Sequence, residues 1–262
     1  MAKICPLYSG SSGNSTFIGD SSSGILIDIG VSCKKLISGL ETIGQKPENI
    51  KAVFITHEHS DHIQGVSVFL KRYKIPLFAS AGTIAYMEEH GCFCEGAKYY
   101  ELQSGGTEVA GMEITSAPTP HDAKESVCYR IEYSGKKIAV ATDIGYITKE
   151  IEAAVKGCDA VLIESNYDIK MLDSGSYPYY LKKRIKGRKG HLSNPDCAEM
   201  VLRLVLGGST RIFLGHLSEE NNSPDIAYQA TFQALREQGL FPDKDYLLRV
   251  ADRYKPSAAY SF

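Results

Sequence analysis

The sequence predicts an α/β (α+β) protein in which β-sheets stack on one another and helices cover their outer faces. Short β-rich runs joined by turns fill most of the first half, and after Lys149 helices and strands alternate. No linker, low-complexity tract or block of like charge divides the chain, so residues 1–262 read as a single domain.

Taken in order, residues 3–7, 15–18 and 24–29 are β-branched and apolar enough for strands, with a Ser/Gly-rich flexible turn at 9–15 between the first two. Residues 31–44 carry Leu36, Ile37, Leu40 and Ile43 at helical spacing and stop at Gly44. A buried strand is predicted at 52–56, a helix at 61–73, a short strand at 76–79 and a helix at 83–90. Strands follow at 98–102, 112–117, 127–133 and 137–142, the last two joined by a Ser134-Gly135 hairpin turn. Beyond them the helices 149–156, 195–206 and 225–238 lead into the strands 160–164, 211–215 and 246–250.

Composition narrows the class of protein. Apolar residues at 43% and charged residues at 23% match an ordinary globular chain and exclude wholesale disorder. Lys+Arg 29 against Asp+Glu 31 leaves −2, so bulk charge draws the chain to neither nucleic acid nor anionic membrane, and an anionic partner needs a local patch. The N-terminus lacks the apolar stretch of a signal peptide, and no run reaches membrane-spanning length; a cytoplasmic protein without a membrane is expected. Seven scattered cysteines do not make a disulfide framework, and Cys92 with Cys94 has no second pair at zinc-ribbon spacing, so all seven read as reduced thiols.

The chemistry concentrates in Thr56-His57-Glu58-His59-Ser60-Asp61-His62, between a predicted strand and a predicted helix. In an extended segment His57 and His59 point the same way, and a helix start turns Asp61 and His62 back toward the strand end. Asp61 also gains from the helix dipole. Three imidazoles and a carboxylate supply most of a two-metal site, and nitrogen ligands suit Zn, Fe or Mn better than Mg or Ca. His121, Asp143 and His216 each follow an apolar strand, and strand ends on one sheet edge converge on a crevice. His90 lies outside every motif and reads as a surface residue.

In this order, His57-x-His59-x-Asp61-His62, His121, Asp143 and His216 resemble the metallo-β-lactamase-fold superfamily, with Asp28 in Leu26-Ile27-Asp28-Ile29-Gly30 matching its first motif as a structural aspartate. The resemblance implies a four-layer αββα sandwich of two mixed sheets flanked by helices, with two divalent metal ions on one edge. It implies that His57, His59 and His121 hold one metal, that Asp61, His62 and His216 hold the other, and that Asp143 bridges them. A bridging hydroxide is then the expected nucleophile, oriented by Asp61. Glu58 and Ser60 receive no role.

The fold alone does not fix the substrate. His59 argues against the flavo-diiron branch, which typically carries glutamate there, and the interval from Asp143 to His216 is too short for the inserted domain of β-CASP nucleases. The motif Gly-His-Leu-Ser occurs twice, at 190–193 and 215–218. His216 ends a strand as a ligand should. His191 opens a helix, with Asn194 as expected N-cap and Pro195 in the first turn, a natural place for a phosphate. This arrangement resembles tRNase Z, where a histidine before the helix contacts the scissile phosphate, and His191 is the expected catalytic acid beside Asp61.

Six of the nine residues 181–189 are basic. Lys186, Arg188, Lys189, His191 and Ser193 are the expected substrate contacts, positioning a phosphate backbone without reading sequence. Residues 177–180, Tyr-Pro-Tyr-Tyr, offer rings for base stacking, although ordinary packing of an aromatic turn is the expectation. Nearly the full length resembles the bacterial YycJ/WalJ-type family, which implies a metal-dependent 5′→3′ exonuclease of DNA, rather than RNA, in repair. A small-molecule hydrolase for a thioester, lactone or cyclic phosphodiester, or a non-catalytic nucleic-acid-binding module, are the rival readings.

Overall fold

A computed structural model describes residues 1–262. The strands β1 (Lys3–Tyr8), β2 (Ser15–Gly19) and β3 (Gly24–Ile27) form an antiparallel meander, to which β4 (Ile50–Phe54), β5 (Leu77–Ala79) and β6 (Tyr99–Glu101) add in parallel. The second sheet reverses the recipe. β7 (Thr107–Val109), β8 (Met112–Pro118), β9 (Val127–Tyr133) and β10 (Lys136–Ala141) are antiparallel, and β11 (Ala160–Glu164), β12 (Arg211–Gly215) and β13 (Leu247–Val250) continue in parallel from β10. A last strand, β14 (Tyr260–Ser261), pairs antiparallel with β1, so each mixed sheet has seven strands.

Strand periodicity sorts the side chains into layers. Ile25 and Ile27 of β3 join Ala160 and Leu162 of β11 in the core between the sheets, while Leu26 points to one outer layer and Val161 and Ile163 to the other. Leu36 and Leu40 of α1 (Cys33–Thr42), Phe69 and Leu70 of α3 (Val66–Tyr73) and Met87 of α4 (Ala81–Glu89) cover the first sheet. Ile151 of α5 (Lys149–Val155), Met200 and Leu204 of α8 (Asn194–Leu206) and Leu235 of α9 (Pro224–Glu237) cover the second. The expected four-layer sandwich of two mixed sheets is therefore present.

Several local expectations change. The predicted helix 61–73 is two helices, α2 (Ser60–Ile63) and α3, broken at Gly65. The Gly65 N–H donates to the Ile29 carbonyl at 2.9 Å, and a Cβ there would lie 2.2 Å from the Val31 carbonyl oxygen, so the chain is pressed against the exit of β3. The cap of α8 is Ser193, whose hydroxyl accepts from the Asp196 N–H, and not Asn194. Two short helices, α6 (Ile169–Ser174) and α7 (Tyr179–Ile185), fill the stretch read only as a basic segment, and β7 and β14 were not anticipated.

β3, β4, β8, β10, β11 and β12 all deliver their C-terminal ends to one edge of the sandwich. Three residues there take left-handed backbone: Asp28 (φ 63°), Asp143 (φ 58°) and His216 (φ 54°). Such turns are costly for side chains larger than Gly and collect where surrounding structure enforces them.

Candidate metal centre

The loop after β4 places His57 and His59 in an extended stretch, and α2 turns Asp61 and His62 back beside them. The His57 ring centroid lies 4.6 Å from that of His59, 4.1 Å from His62 and 5.0 Å from His121. Asp143 closes the cluster: its Oδ1 is 3.6 Å from His121 Nε2 and 3.5 Å from His216 Nε2, and its Oδ2 is 3.2 Å from His62 Nε2. The seven expected ligands are thus brought together at one edge.

Outer contacts fix which atom each ring presents. His62 Nδ1 donates to Asp28 Oδ2 at 2.8 Å, and Asp28 also accepts from the Thr56 N–H and hydroxyl at 2.8 and 2.9 Å. His121 Nδ1 donates to the Gly190 carbonyl at 3.0 Å, and His216 Nδ1 to Glu164 Oε1 at 2.9 Å. In each of these rings Nδ1 is bound outward and Nε2 is left facing the centre, the arrangement that orients metal-ligating histidines. His59 instead presents Nδ1, 3.3 Å from His121 Nε2.

The donor set fits divalent ions. His57 Nε2 and Asp143 Oδ2 are buried polar atoms without a hydrogen bond, a state that native interiors avoid unless something else satisfies the group. Burial pushes His57 well below the usual histidine range, which keeps its lone pair available. Burial opposes charge on Asp61 and Asp143, but the facing imidazoles, His62 for Asp61 and His216 for Asp143 foremost, hold both below the usual carboxylate range. Burial likewise works against His62 and His216, yet Asp28 and Asp143 outweigh it, and His216 is raised to about 10. Atoms of His57, His59 and His121, of Asp61, His62 and His216, and of His57, His62 and Asp143 each lie close enough to share an ion.

His191 stands at the rim, one-fifth exposed, with ring centroids 5.1 Å from His121 and 5.3 Å from His216. Its Nδ1 is 2.8 Å from Glu164 Oε1. Asp143, Glu164, His191 and His216 also lie close enough to hold an ion, and there the Nδ1 atoms of both histidines are hydrogen-bonded to Glu164.

The beta-lactamase superfamily domain matches residues 24–216, the span that contains every one of these residues. The chain is 38% identical over 93% of its length to exodeoxyribonuclease WalJ of Streptococcus pneumoniae, covering 92% of that protein. It belongs to the WalJ/YycJ family of the β-lactamase superfamily. Exodeoxyribonuclease YycJ of Bacillus anthracis is 31% identical, with 96% of each chain covered. Among solved structures, the metallo-β-lactamase fold protein YhfI of Bacillus subtilis superposes with a TM-score of 0.72 at 14% identity over 98% of both chains, a likeness of fold. As a member of this family the chain is a metal-dependent hydrolase that uses divalent metal.

Within that family frame, four features of the site escaped the sequence reading. Glu164 ends the apolar run of β11, fully buried, and accepts from His191, His216 and the N–H groups of Ile144 (2.6 Å) and Leu192 (3.2 Å). Its signal was available: like Asp143 and His216, it is a charged residue at a strand end. The Ser/Gly segment is not a flexible turn. Asn14 donates to the Gly10 carbonyl and lies 3.2 Å from His62 Nε2, its N–H donates to the Asp61 carbonyl at 2.8 Å, and Ser9 Oγ accepts from the His216 N–H. Asp122 Oδ1 lies 3.3 Å from His121 Nε2, and its Oδ2 pairs with Arg184 at 2.5 Å. Glu58, given no role, bridges Thr83 and the Lys124 N–H.

The expected substrate contacts divide. Ser193 is buried with its hydroxyl on Asp196. Lys186 pairs with Asp173 and Arg188 lies 4.5 Å over the Tyr146 ring, while Lys189 is exposed without a partner. The packing expected for residues 177–180 holds for Tyr177 alone, since Tyr179 and Tyr180 are 81% and 74% exposed. His90 is exposed and stacks on Tyr86, outside the site. All seven cysteines are free, five of them buried. No helix is long and apolar enough to cross a membrane.

Proposed function

We propose that this chain is a two-metal phosphodiesterase that degrades DNA as a 5′→3′ exonuclease, a single hydrolase domain working in repair. The relatives that match almost end to end are named exodeoxyribonucleases, which favours DNA over RNA. Seven free thiols agree with a reducing cytoplasm.

His57, His59 and His121 would hold one ion, Asp61, His62 and His216 the other, and Asp143 both; Zn, Mn or Fe suits this nitrogen-rich set. When bound, such ions neutralise phosphoryl charge and lower the pKa of water. The protein's own part is positional. Asp28, Glu164 and the Gly190 carbonyl lock three rings, and Asn14 braces Asp61 from behind.

The observation that carries the reading is His191, which stands beside the ligands with Nδ1 taken by Glu164 and therefore with Nε2 left for substrate. Protonated, it donates Nε2–H to the oxygen leaving phosphorus, and the Glu164 carboxylate supports the charge on the ring. A thioester hydrolase needs no such group, because its thiolate departs without a proton. Arg188 and Lys189, on the turn that leads into His191, would meet the phosphate backbone.

The test is hydrolysis by metal-reconstituted protein of end-labelled single- and double-stranded DNA, RNA, and bis(p-nitrophenyl) phosphate. Mononucleotide release from the 5′ end of DNA, faster than from RNA, is expected. Turnover of the small diester with no cleavage of either polymer would refute the nuclease reading.

A further inference from the structure

Helices α6 and α7 form a short hairpin between Glu164 and His191, and no residue of it belongs to the metal cluster. Asp173, Tyr177, Tyr179, Lys182, Lys183 and Lys186 line a groove of about 550 Å³ on this hairpin. Tyr179 and Tyr180 are the most exposed aromatic rings of the chain. No acidic residue occurs from 177 to 189, whereas six basic ones do, in a chain whose net charge is −2. The only acid of the groove, Asp173, is engaged by Lys186, and its carbonyl accepts from Lys182. Lys183 is exposed and makes no ion pair or hydrogen bond, so its charge is free.

Resting on the nuclease reading, we propose that this groove holds an unpaired DNA strand, one base stacked on Tyr179 in the groove and the next on the exposed Tyr180 beside it, with its phosphates against Lys183 and the neighbouring lysines. Flat rings can be met by the faces of bases only when those bases are unpaired; a duplex offers sugars and phosphates instead. The free positive charge supplies the backbone attraction.

The groove is coupled to the reacting centre by two contacts. Arg184 of α7 pairs with Asp122, next to His121, and the His191 N–H donates to the Ile185 carbonyl at 2.9 Å where α7 ends. Gly190 makes this fold-back possible, since a Cβ there would lie 2.1 Å from the Ile185 carbonyl oxygen. The helix that carries the groove is thereby held against the rim where His191 stands.

Fluorescence anisotropy with the full-length metal-loaded protein tests this, using a labelled, cleavage-resistant phosphorothioate DNA strand and the duplex of the same sequence. Tyr179→Ala with Tyr180→Ala should weaken strand binding by about 30-fold or more and duplex binding by less than about threefold. The Tyr179→Phe, Tyr180→Phe pair keeps the rings and should bind the strand like wild type. Lys183→Gln should reduce the salt slope for the strand by about 0.7. Tyr254→Ala, an exposed ring elsewhere, should leave the affinities unaltered. An alanine pair that binds the strand as wild type does, or that loses strand and duplex equally, overturns the groove. Failure of the nuclease reading appears separately, as wild-type protein that leaves end-labelled DNA intact.

Discussion

His191→Ala removes the only imidazole of the centre that is not an expected ligand. The buried Glu164 loses one partner but keeps the Ile144 and Leu192 N–H groups and His216 Nδ1. A hydrogen bond to a charged group contributes about 1.5–3 kcal/mol, which in a chain of this size lowers Tm by about 3–12 °C and leaves the protein folded. Loss of a general acid slows the reaction about 10²–10⁴-fold, or about 2.7–5.4 kcal/mol in the barrier. The assay is single-turnover cleavage of end-labelled DNA beside hydrolysis of a p-nitrophenyl phosphodiester, whose leaving group departs without a proton. DNA cleavage should fall by the full factor, the p-nitrophenyl ester by less than about tenfold, and metal content should not change. Unimpaired DNA cleavage would refute the role of His191, and loss of metal would make it a ligand.

Asp143→Ala should lower bound metal to one equivalent or less and abolish hydrolysis, read by elemental analysis of the folded variant. Gly30→Ala should give little folded protein, because its Cβ would lie 1.6 Å from the Asp61 carbonyl oxygen and 2.6 Å from the Asn14 nitrogen, backbone atoms that cannot swing away; soluble yield and near-UV circular dichroism check it. Arg188→Ala with Lys189→Ala should flatten the salt dependence of DNA binding by about one unit for each phosphate that is no longer neutralised. In chelator-treated protein, His216 has a folded pKa above its unfolded value, so its contribution is full below the ordinary histidine range and is lost as pH rises toward about 10. Asp61 and Asp143 act in the opposite sense, their contributions present above the ordinary carboxylate range and lost on acidification. Urea melts across pH should therefore show stability falling at both ends, and a flat alkaline limb would contradict the His216 assignment.

The fold class was legible because its signal is additive: period-two strands and amphipathic helices each report burial over several residues. The ligand loop was legible because His57, His59, Asp61 and His62 are close in sequence, and His121, Asp143 and His216 because each follows an apolar strand. Glu164 was not singled out, since a glutamate closing a strand looks like any exit to solvent. Only the register of β11 against β12, which sets Glu164 opposite Gly215, brings it beneath both His191 and His216. Asn14 was hidden for the opposite reason: Ser/Gly-rich composition suggests mobility, whereas its amide and the Gly10 backbone bind each other in both directions. Helices α6 and α7 have six and seven residues, too short to show a helical period. The break at Gly65 depends on a carbonyl of a distant strand exit, which no local pattern records.

Anomalous diffraction from crystals of the zinc-loaded protein tests the central claim most directly. Two peaks are predicted, one among His57, His59 and His121 and one among Asp61, His62 and His216, with Asp143 touching both and His191 touching neither. A single peak held by Asp143, Glu164, His191 and His216 would contradict the account, because it would turn the proposed acid and its carboxylate partner into ligands.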